Sequence, residues 1–225
     1  MFFYMIVGTI QEVKDNEFRV GLTPSHVQKL VADGHSVVVQ IGAGEGAGFS
    51  DLLYQHHGAT MVRLARDVLR KCDLLVKIKE PVPSEYGLYK HFTDKILFTF
   101  LHLAGAPSSL TAMLLKNKIT AIGYETVQND DGMLPLLMPM SEVAGVLSIQ
   151  YGAQYLQKKY GGRGVSLGDI TQAQNASVVI VGGGVVGTSA GLTAGRMGCN
   201  VTLFEKDHSR LNQLKKKFSG MRNVY

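Results

Sequence analysis

Two cysteines in 225 residues, Cys72 and Cys199, are too few for a disulfide scaffold and stand too far apart to suggest a metal pair. Their scarcity points to a reducing compartment, and no metal is expected. No apolar run approaches the roughly 18 residues a membrane span requires. The opening Met-Phe-Phe-Tyr-Met is apolar, yet it lacks a basic leader and a small-residue cleavage site, so it does not read as a secretion signal. The first strand is expected from Ile6, which leaves residues 1–4 as a dispensable extension of a cytoplasmic protein. Low-complexity segments are missing too. The net charge is +5, but much of it sits in Lys158-Lys159 and Lys215-Lys216-Lys217, at the ends of expected helices where cations are favoured. No basic stripe interleaved with aromatics appears, so a nucleic-acid partner is not expected. What remains is an ordinary globular composition, 45% apolar and 18% charged, with room for two modest domains.

The first part alternates short β-rich runs with helical stretches, the pattern of a parallel α/β sheet. Strands are expected at 6–10, 36–41, 74–79, 96–101 and 120–127, with helices near 51–57, 64–70 and 110–116. Thr23-Pro24 supplies an N-cap and a proline at the first helical position, and Gly34 closes that helix. The glycine-rich segment 42–48 reads as a flexible loop. Asn129-Asp130-Asp131-Gly132 marks a turn, and the domain boundary is expected near residue 135. A long helix over about 141–160 would then join a domain at 1–135 to one at 136–225.

Polar groups fall where strands of this first domain end, the usual place for working residues in open α/β sheets. Arg19 follows the first strand. Lys77 and Lys79 close another, on one face if the period of two holds. His102 ends a run of apolar residues. An arginine can grip a carboxylate with two prongs, a lysine can polarise a carbonyl, and a histidine can carry protons near neutrality. Each also has a bland reading: Arg19 as a surface ion pair, Lys79 as a solvated strand end, His102 as a core histidine.

The second part holds the sharpest motif. Ser177 to Val181 is a β-branched run, followed by Gly182-Gly183-Gly184-Val185-Val186-Gly187, a small-residue helix and a second strand closing on Glu205. Gly182 would turn the chain, Gly184 would admit a pyrophosphate, and Gly187 would let the helix approach the sheet. Glu205, 23 residues after Gly182, suits a ribose 2′-hydroxyl and would repel a 2′-phosphate, which favours NAD over NADP, although Lys206 works against that preference. Residues 178–181 read as a buried central strand. Only 43 residues follow Gly182. They suffice for two strands and two helices, and residues 223–225 could open a third strand. The expectation is α/β: an N-terminal parallel-sheet substrate domain and an incomplete Rossmann-type domain.

Asn-Glu-Phe-Arg-Val-Gly-Leu-Thr-Pro at 16–24, Gly-Ala-Gly-Glu-Gly at 42–46, Val-Lys-Ile-Lys-Glu-Pro at 76–81, Leu-Phe-Thr-Phe-Leu-His-Leu-Ala at 97–104, Tyr-Glu-Thr-Val-Gln at 124–128 and Pro-Met-Ser-Glu-Val-Ala-Gly at 139–145 closely resemble alanine dehydrogenase. The resemblance implies reversible, NAD-dependent oxidative deamination of L-alanine to pyruvate and ammonia by a cytoplasmic homo-oligomer, a hexamer at full length. It implies that Arg19 and Lys79 hold the substrate and that His102 is the acid/base group. Ser141 would touch the cofactor phosphates, its alternative being the N-cap of the long helix. Val185 and Val186 would lie in the phosphate turn, with Glu205 at the adenosine ribose and Arg210 on the adenosine side. The chain resembles the first three-fifths of such enzymes, a truncated form without their catalytic aspartate. Two alternatives follow: the related NAD-binding component of transhydrogenase, which lacks counterparts of Lys79 and His102, or a non-catalytic remnant needing a separate C-terminal partner.

Overall fold

The computed structural model describes residues 4–171 and 174–221, and the chain divides into two compact units, Met1–Gly132 and Met133–Tyr225. In the first unit the order is β1 (Ile6–Thr9), α1 (Pro24–Ala32), β2 (Ser36–Gln40), α2 (Asp51–His56), β3 (Thr60–Val62), α3 (Ala65–Lys71), β4 (Leu74–Val76), β5 (Ile96–Thr99), α4 (Ser108–Lys116) and β6 (Thr120–Gly123). All six strands are parallel, in the spatial order β3-β2-β1-β4-β5-β6. This doubly wound order reverses direction between β1 and β4, and ligands of such sheets settle in the crevice outside the carboxyl ends at that point. The first unit thus holds a complete six-stranded sheet of this doubly wound order.

The strands are short apolar runs because both faces are covered. Val37 and Val39 face one core with Val27 and Tyr54, while Val38 faces the other with Val68, Leu75 and Leu97. Each such fully buried side chain contributes about 1.5–3 kcal/mol. Thr23 and Pro24 start α1 as expected. Gly34 ends it in the left-handed region, where the His35 amide donates to the Leu30 carbonyl at 2.9 Å. Several elements differ from the sequence reading: β6 stops at Gly123 and not at 127, and the long helix ends at Tyr155 and not near 160. β3 is too short to show a period, and Pro83–His91 forms 3₁₀ turns beyond Pro81. β4 stops at Val76, three residues before its expected end, and the chain bends at Ile78 and Lys79.

The second unit contains α5 (Met138–Tyr155), β7 (Ser177–Val181), α6 (Val185–Arg196), β8 (Asn200–Phe204) and α7 (His208–Lys217). β7 and β8 pair in parallel. One face of this pair carries Val178, Ile180, Val201 and Leu203 into two apolar clusters with residues of α5, α6 and α7. The other face does not match the buried central strand expected at 178–181: Val179 is 64% and Val181 86% exposed. Among the described residues β7 bonds only to β8, and its outer face has no covering layer. The expected strand at 223–225 lies outside the described residues. α5 begins at Met138, so Ser141 is not its N-cap; its amide already donates to the Leu137 carbonyl at 3.0 Å.

Candidate functional site

In the first unit the crevice between the ends of β1 and β4 is framed by residues 10–22 and 77–82. The first segment crosses back over β4: a Cβ on Gly21 would lie 2.4 Å from the Val76 carbonyl oxygen. That close approach sets Arg19 beside the switch point. The glycine-rich segment after β2 supports the same loop, since a Cβ on Gly46 would come within 2.9 Å of the Phe18 carbonyl oxygen and one on Gly44 within 2.5 Å of the Tyr54 ring. Bonds from Ala43, Glu45, Ala47, Gly48 and Phe49 stitch it internally. Gly44 and Gly46 serve close packing, Gly42 and Gly48 take up left-handed turns, and the backbone is tied rather than loose.

Arg19 meets Glu17 in a two-pronged pair, with Nε donating to Oε1 at 2.8 Å and Nη2 to Oε2 at 2.6 Å. The hydrogen bond from Arg19 holds the Glu17 carboxyl below the ordinary carboxylate range, and the charge of Lys79 adds to the effect. The charges of Arg19 and Lys79 thus both act on Glu17. A substrate carboxylate at Arg19 must share the guanidinium with Glu17 or displace it. Next to Lys79, burial pushes the Glu80 carboxyl up, but the bond from Lys14 and the charges of Lys14 and Lys79 outweigh burial and the net shift is downward.

Lys77 and Lys79 do not share a face. Lys77 is fully buried, 2.5 Å from Glu85 Oε1 and 3.4 Å from Glu12 Oε2, while Lys79 is half-buried at the bend. Burial, opposed by the charge of Lys77, raises the Glu12 carboxyl. This triad was invisible to sequence reading. The only available signal was a lysine in an otherwise apolar strand end, with carboxylates scattered from position 12 to position 85.

His102 extends from β5, the neighbour of β4: the Lys77 amide donates to the Phe98 carbonyl, and the Phe100 amide to that of Ile78. Lys79 and His102 therefore leave adjacent chain extensions on one edge of the sheet. His102 is no core histidine. Its side chain is exposed and stacks on Phe100 with ring centroids 5.7 Å apart. Its φ is 48°, in the left-handed region that a non-glycine residue visits only when held. Glu125 supplies the hold, accepting from the His102 amide at 2.7 Å and the Leu101 amide at 3.1 Å. Tyr124 packs against Phe100 and Phe98 at the same edge; burial, with a contribution from Glu12, pushes its hydroxyl pKa upward.

In the second unit Gly182 adopts φ 99° and turns the chain out of β7. A Cβ on Gly187 would sit 2.0 Å from the Gly182 carbonyl oxygen, so α6 starts in direct contact with the turn. Gly184, the N-cap of α6, has nothing within 4 Å of its would-be Cβ. Open space thus lies before a helix N-terminus whose first amides lack intrahelical partners. Val185 and Val186 are partly exposed on that first turn. Ser141 lies on α5, one turn ahead of Gly145, where a Cβ would come within 2.4 Å of the Val186 carbonyl oxygen.

Glu205 and Arg210 both engage the turn itself. Glu205 Oε2 accepts from the Gly183 amide at 2.8 Å and Oε1 from the Asp207 amide at 3.0 Å. Those bonds, that of Asp207 foremost, hold its carboxyl below the ordinary range. Arg210 donates from Nε to the Gly183 carbonyl at 2.9 Å, from Nη2 to Thr188 and from Nη1 to Gln213. Gly183 and Thr188 were not singled out in the sequence. Yet a Cβ on Gly183 would meet Leu214 at 2.4 Å, and the Thr188 hydroxyl bonds the Gly183 carbonyl.

A pH test follows. A carboxylate whose folded pKa is lowered stabilises the fold above its unfolded value, and that contribution is lost as pH falls through the folded value. Glu205→Gln, which faces one of the two amides with an NH₂ group, is expected to lower the melting temperature of the second unit at about pH 7. The gap to the wild type should close below about pH 4. A gap that persists unchanged in acid contradicts the assignment.

Among the described residues no group of three or more His, Cys, Asp or Glu side chains could hold a metal ion, and no helix is long and apolar enough to cross a membrane. Residues 8–144 match the alanine dehydrogenase/PNT N-terminal domain family, and residues 148–224 match its C-terminal domain family. The chain is 48% identical over 210 residues to the alanine dehydrogenase of Methanococcus maripaludis, covering 93% of this chain and 56% of that protein. It is 47% identical over 216 residues to that of Mycobacterium tuberculosis, covering 96% and 57%. Among solved structures, an L-alanine dehydrogenase superposes with a TM-score of 0.88 at 45% identity, over 98% of this chain and 60% of that one. A transhydrogenase from Sinorhizobium meliloti, 22% identical with a TM-score of 0.77, shares the fold over 94% of this chain and 62% of its own. The chain spans a little over half the length of the relatives it matches.

Proposed function

The chain belongs to the alanine dehydrogenase/PNT family, and from that premise we propose that its first unit holds L-alanine or pyruvate and its second unit NAD, for reversible oxidative deamination. The observation that supports the substrate half is that Arg19 and Lys79 both act on Glu17 beside the switch point, while His102 leaves the adjoining extension of β5 on the same edge of the sheet. Arg19 and Lys79 hold the carboxylate and the carbonyl region of the substrate. His102, exposed on one ring face and fixed by Glu125, takes up and returns the proton as water adds to the imine carbon and ammonia leaves. The retention of both Lys79 and His102 favours a dehydrogenase over a transhydrogenase-like component.

Several features of the second unit support the NAD reading. The open space at Gly184 and the amides of Val185, Val186 and Gly187 suit a pyrophosphate. Glu205 keeps lone pairs for a ribose hydroxyl, Ser141 lies on α5 one turn from the Gly145 contact with α6, and Arg210 braces the turn from α7. NAD, when bound, would supply the hydride acceptor for the oxidation. Turnover is proposed for a protein of the relatives' length, and binding for this chain.

The test is therefore binding. Pyruvate titrated into the 225-residue chain by calorimetry should bind, and Lys79→Ala should raise Kd by about 10- to 100-fold, the effect of losing one charged hydrogen bond. NADH fluorescence should report a second, separate site. A wild-type chain that binds neither pyruvate nor L-alanine refutes the substrate assignment. In a version of the relatives' length, His102→Ala should abolish turnover while leaving pyruvate affinity within a few-fold.

A further inference from the structure

The substrate lysine proposed above stands at a bend, not in a strand, so something other than the sheet ladder must fix it. β4 ends at Val76, and residues 77–82 cross the edge of the sheet with Lys79 half-buried among them. Two buried carboxylates bond this segment on either side of Lys79. Glu12 Oε1 accepts from the Ile78 amide at 2.6 Å, one residue before Lys79, and Glu85 Oε2 accepts from the Val82 amide at 2.9 Å, three residues after it. The other oxygen of each acid faces Lys77 Nζ. All three side chains are almost wholly buried, and none is placed to touch a substrate.

From this geometry we infer that Glu12 and Glu85 are positioning residues for Lys79, clamping the backbone of the bend through the Ile78 and Val82 amides, with Lys77 as their buried counterion. The inference rests on the reading of Lys79 as a substrate-holding group. A buried ion triad is weak evidence of stability alone, because desolvation offsets most of the attraction and apolar replacements are often tolerated. What apolar side chains cannot replace is the pair of acceptors. The same logic operates at metal sites, where partners one step removed orient the groups that touch the ligand. A lysine held in one place by its backbone also loses less freedom on meeting a carboxylate.

Two readouts on the 225-residue chain separate clamp from mere structure: amide hydrogen exchange across 78–82 and pyruvate affinity by calorimetry. The variants are Glu12→Gln, which keeps an oxygen for the Ile78 amide, and the triple Glu12→Met/Lys77→Met/Glu85→Gln, which removes all three charges together at similar volume. The triple variant should keep the native circular dichroism. Its Ile78 amide should exchange at least about tenfold faster, and its pyruvate Kd should rise about tenfold or more. Glu12→Gln should stay within about threefold of the wild type in both. A folded triple variant with both readouts unchanged overturns the inference, as does a Glu12→Gln variant as impaired as the triple. Should the wild type bind no pyruvate, the substrate reading fails and the exchange arm alone decides the clamp.

Discussion

Lys77→Met is expected to cost the first unit about 3–5 kcal/mol, more than any surface substitution in the chain, because it leaves Glu12 and Glu85 buried without their cation. The loss should depend on pH in a direction that identifies its cause. Burial already raises the Glu12 carboxyl in the intact protein, and the charge of Lys77 is the strongest influence opposing that rise. Without Lys77 the upward shift grows. A carboxylate with a raised folded pKa contributes stability below its unfolded value, and that contribution is lost as pH climbs through the folded value. The melting temperatures of wild type and variant should therefore lie closest at about pH 5 and separate steadily toward about pH 8. Differential scanning calorimetry across that range provides the check. A gap that stays constant with pH points to lost packing of the lysine stem and not to unpaired charge.

The same lysine shows where reading the sequence reached its limit. Periodicity and end signals placed most elements, because α/β units advertise themselves locally: Thr23-Pro24 before an apolar period, Gly34 after it, and β-branched runs for strands. The local rules failed where tertiary contacts decide. In Val-Lys-Ile-Lys-Glu-Pro the two lysines look equivalent, and a strand continued to Lys79 would put them on one face. Glu12, distant in sequence, captures the Ile78 amide at the end of β4, and the bend sends Lys77 inward and Lys79 outward. No window of residues around position 77 contains that information. At Val179 and Val181 the error was of another kind: composition states that a residue tolerates burial, not that a layer exists to bury it. Lys79, His102 and the glycine turn could be singled out as candidates because each follows the end of an element that the local pattern marks. Glu12, Glu85 and Glu125 were missed because each acts on a backbone amide belonging to a different element. The topology behaved similarly. The alternation of strands and helices announced a parallel sheet, whereas the crossing from β3 to β4 that creates the switch point is a long-range property of packing.

The glycine turn offers a pair of substitutions whose contrast separates folding from binding. Gly187→Ala adds a methyl 2.0 Å from the Gly182 carbonyl oxygen and 3.1 Å from the Ile180 side chain, so the start of α6 must lift off the turn. Overpacking of this kind costs about 1–3 kcal/mol, and a backbone oxygen cannot swing aside as a flexible side chain can. The second unit should melt earlier, and NADH affinity should fall with it. Gly184→Ala is different. Its φ of −63° and ψ of −168° suit any residue, and its Cβ would point into open space. The fold should hold within a few tenths of a kcal/mol up to about 1 kcal/mol, the ordinary range for changing a helix cap. Only a ligand approaching the backbone there would feel the methyl, and NADH affinity should drop about tenfold or more with little change in melting temperature. Fluorescence titration beside thermal melts measures both quantities on the same samples. Equal NADH affinity in Gly184→Ala and the wild type would remove the pyrophosphate from the space before α6, and the glycine at that position would then need another explanation.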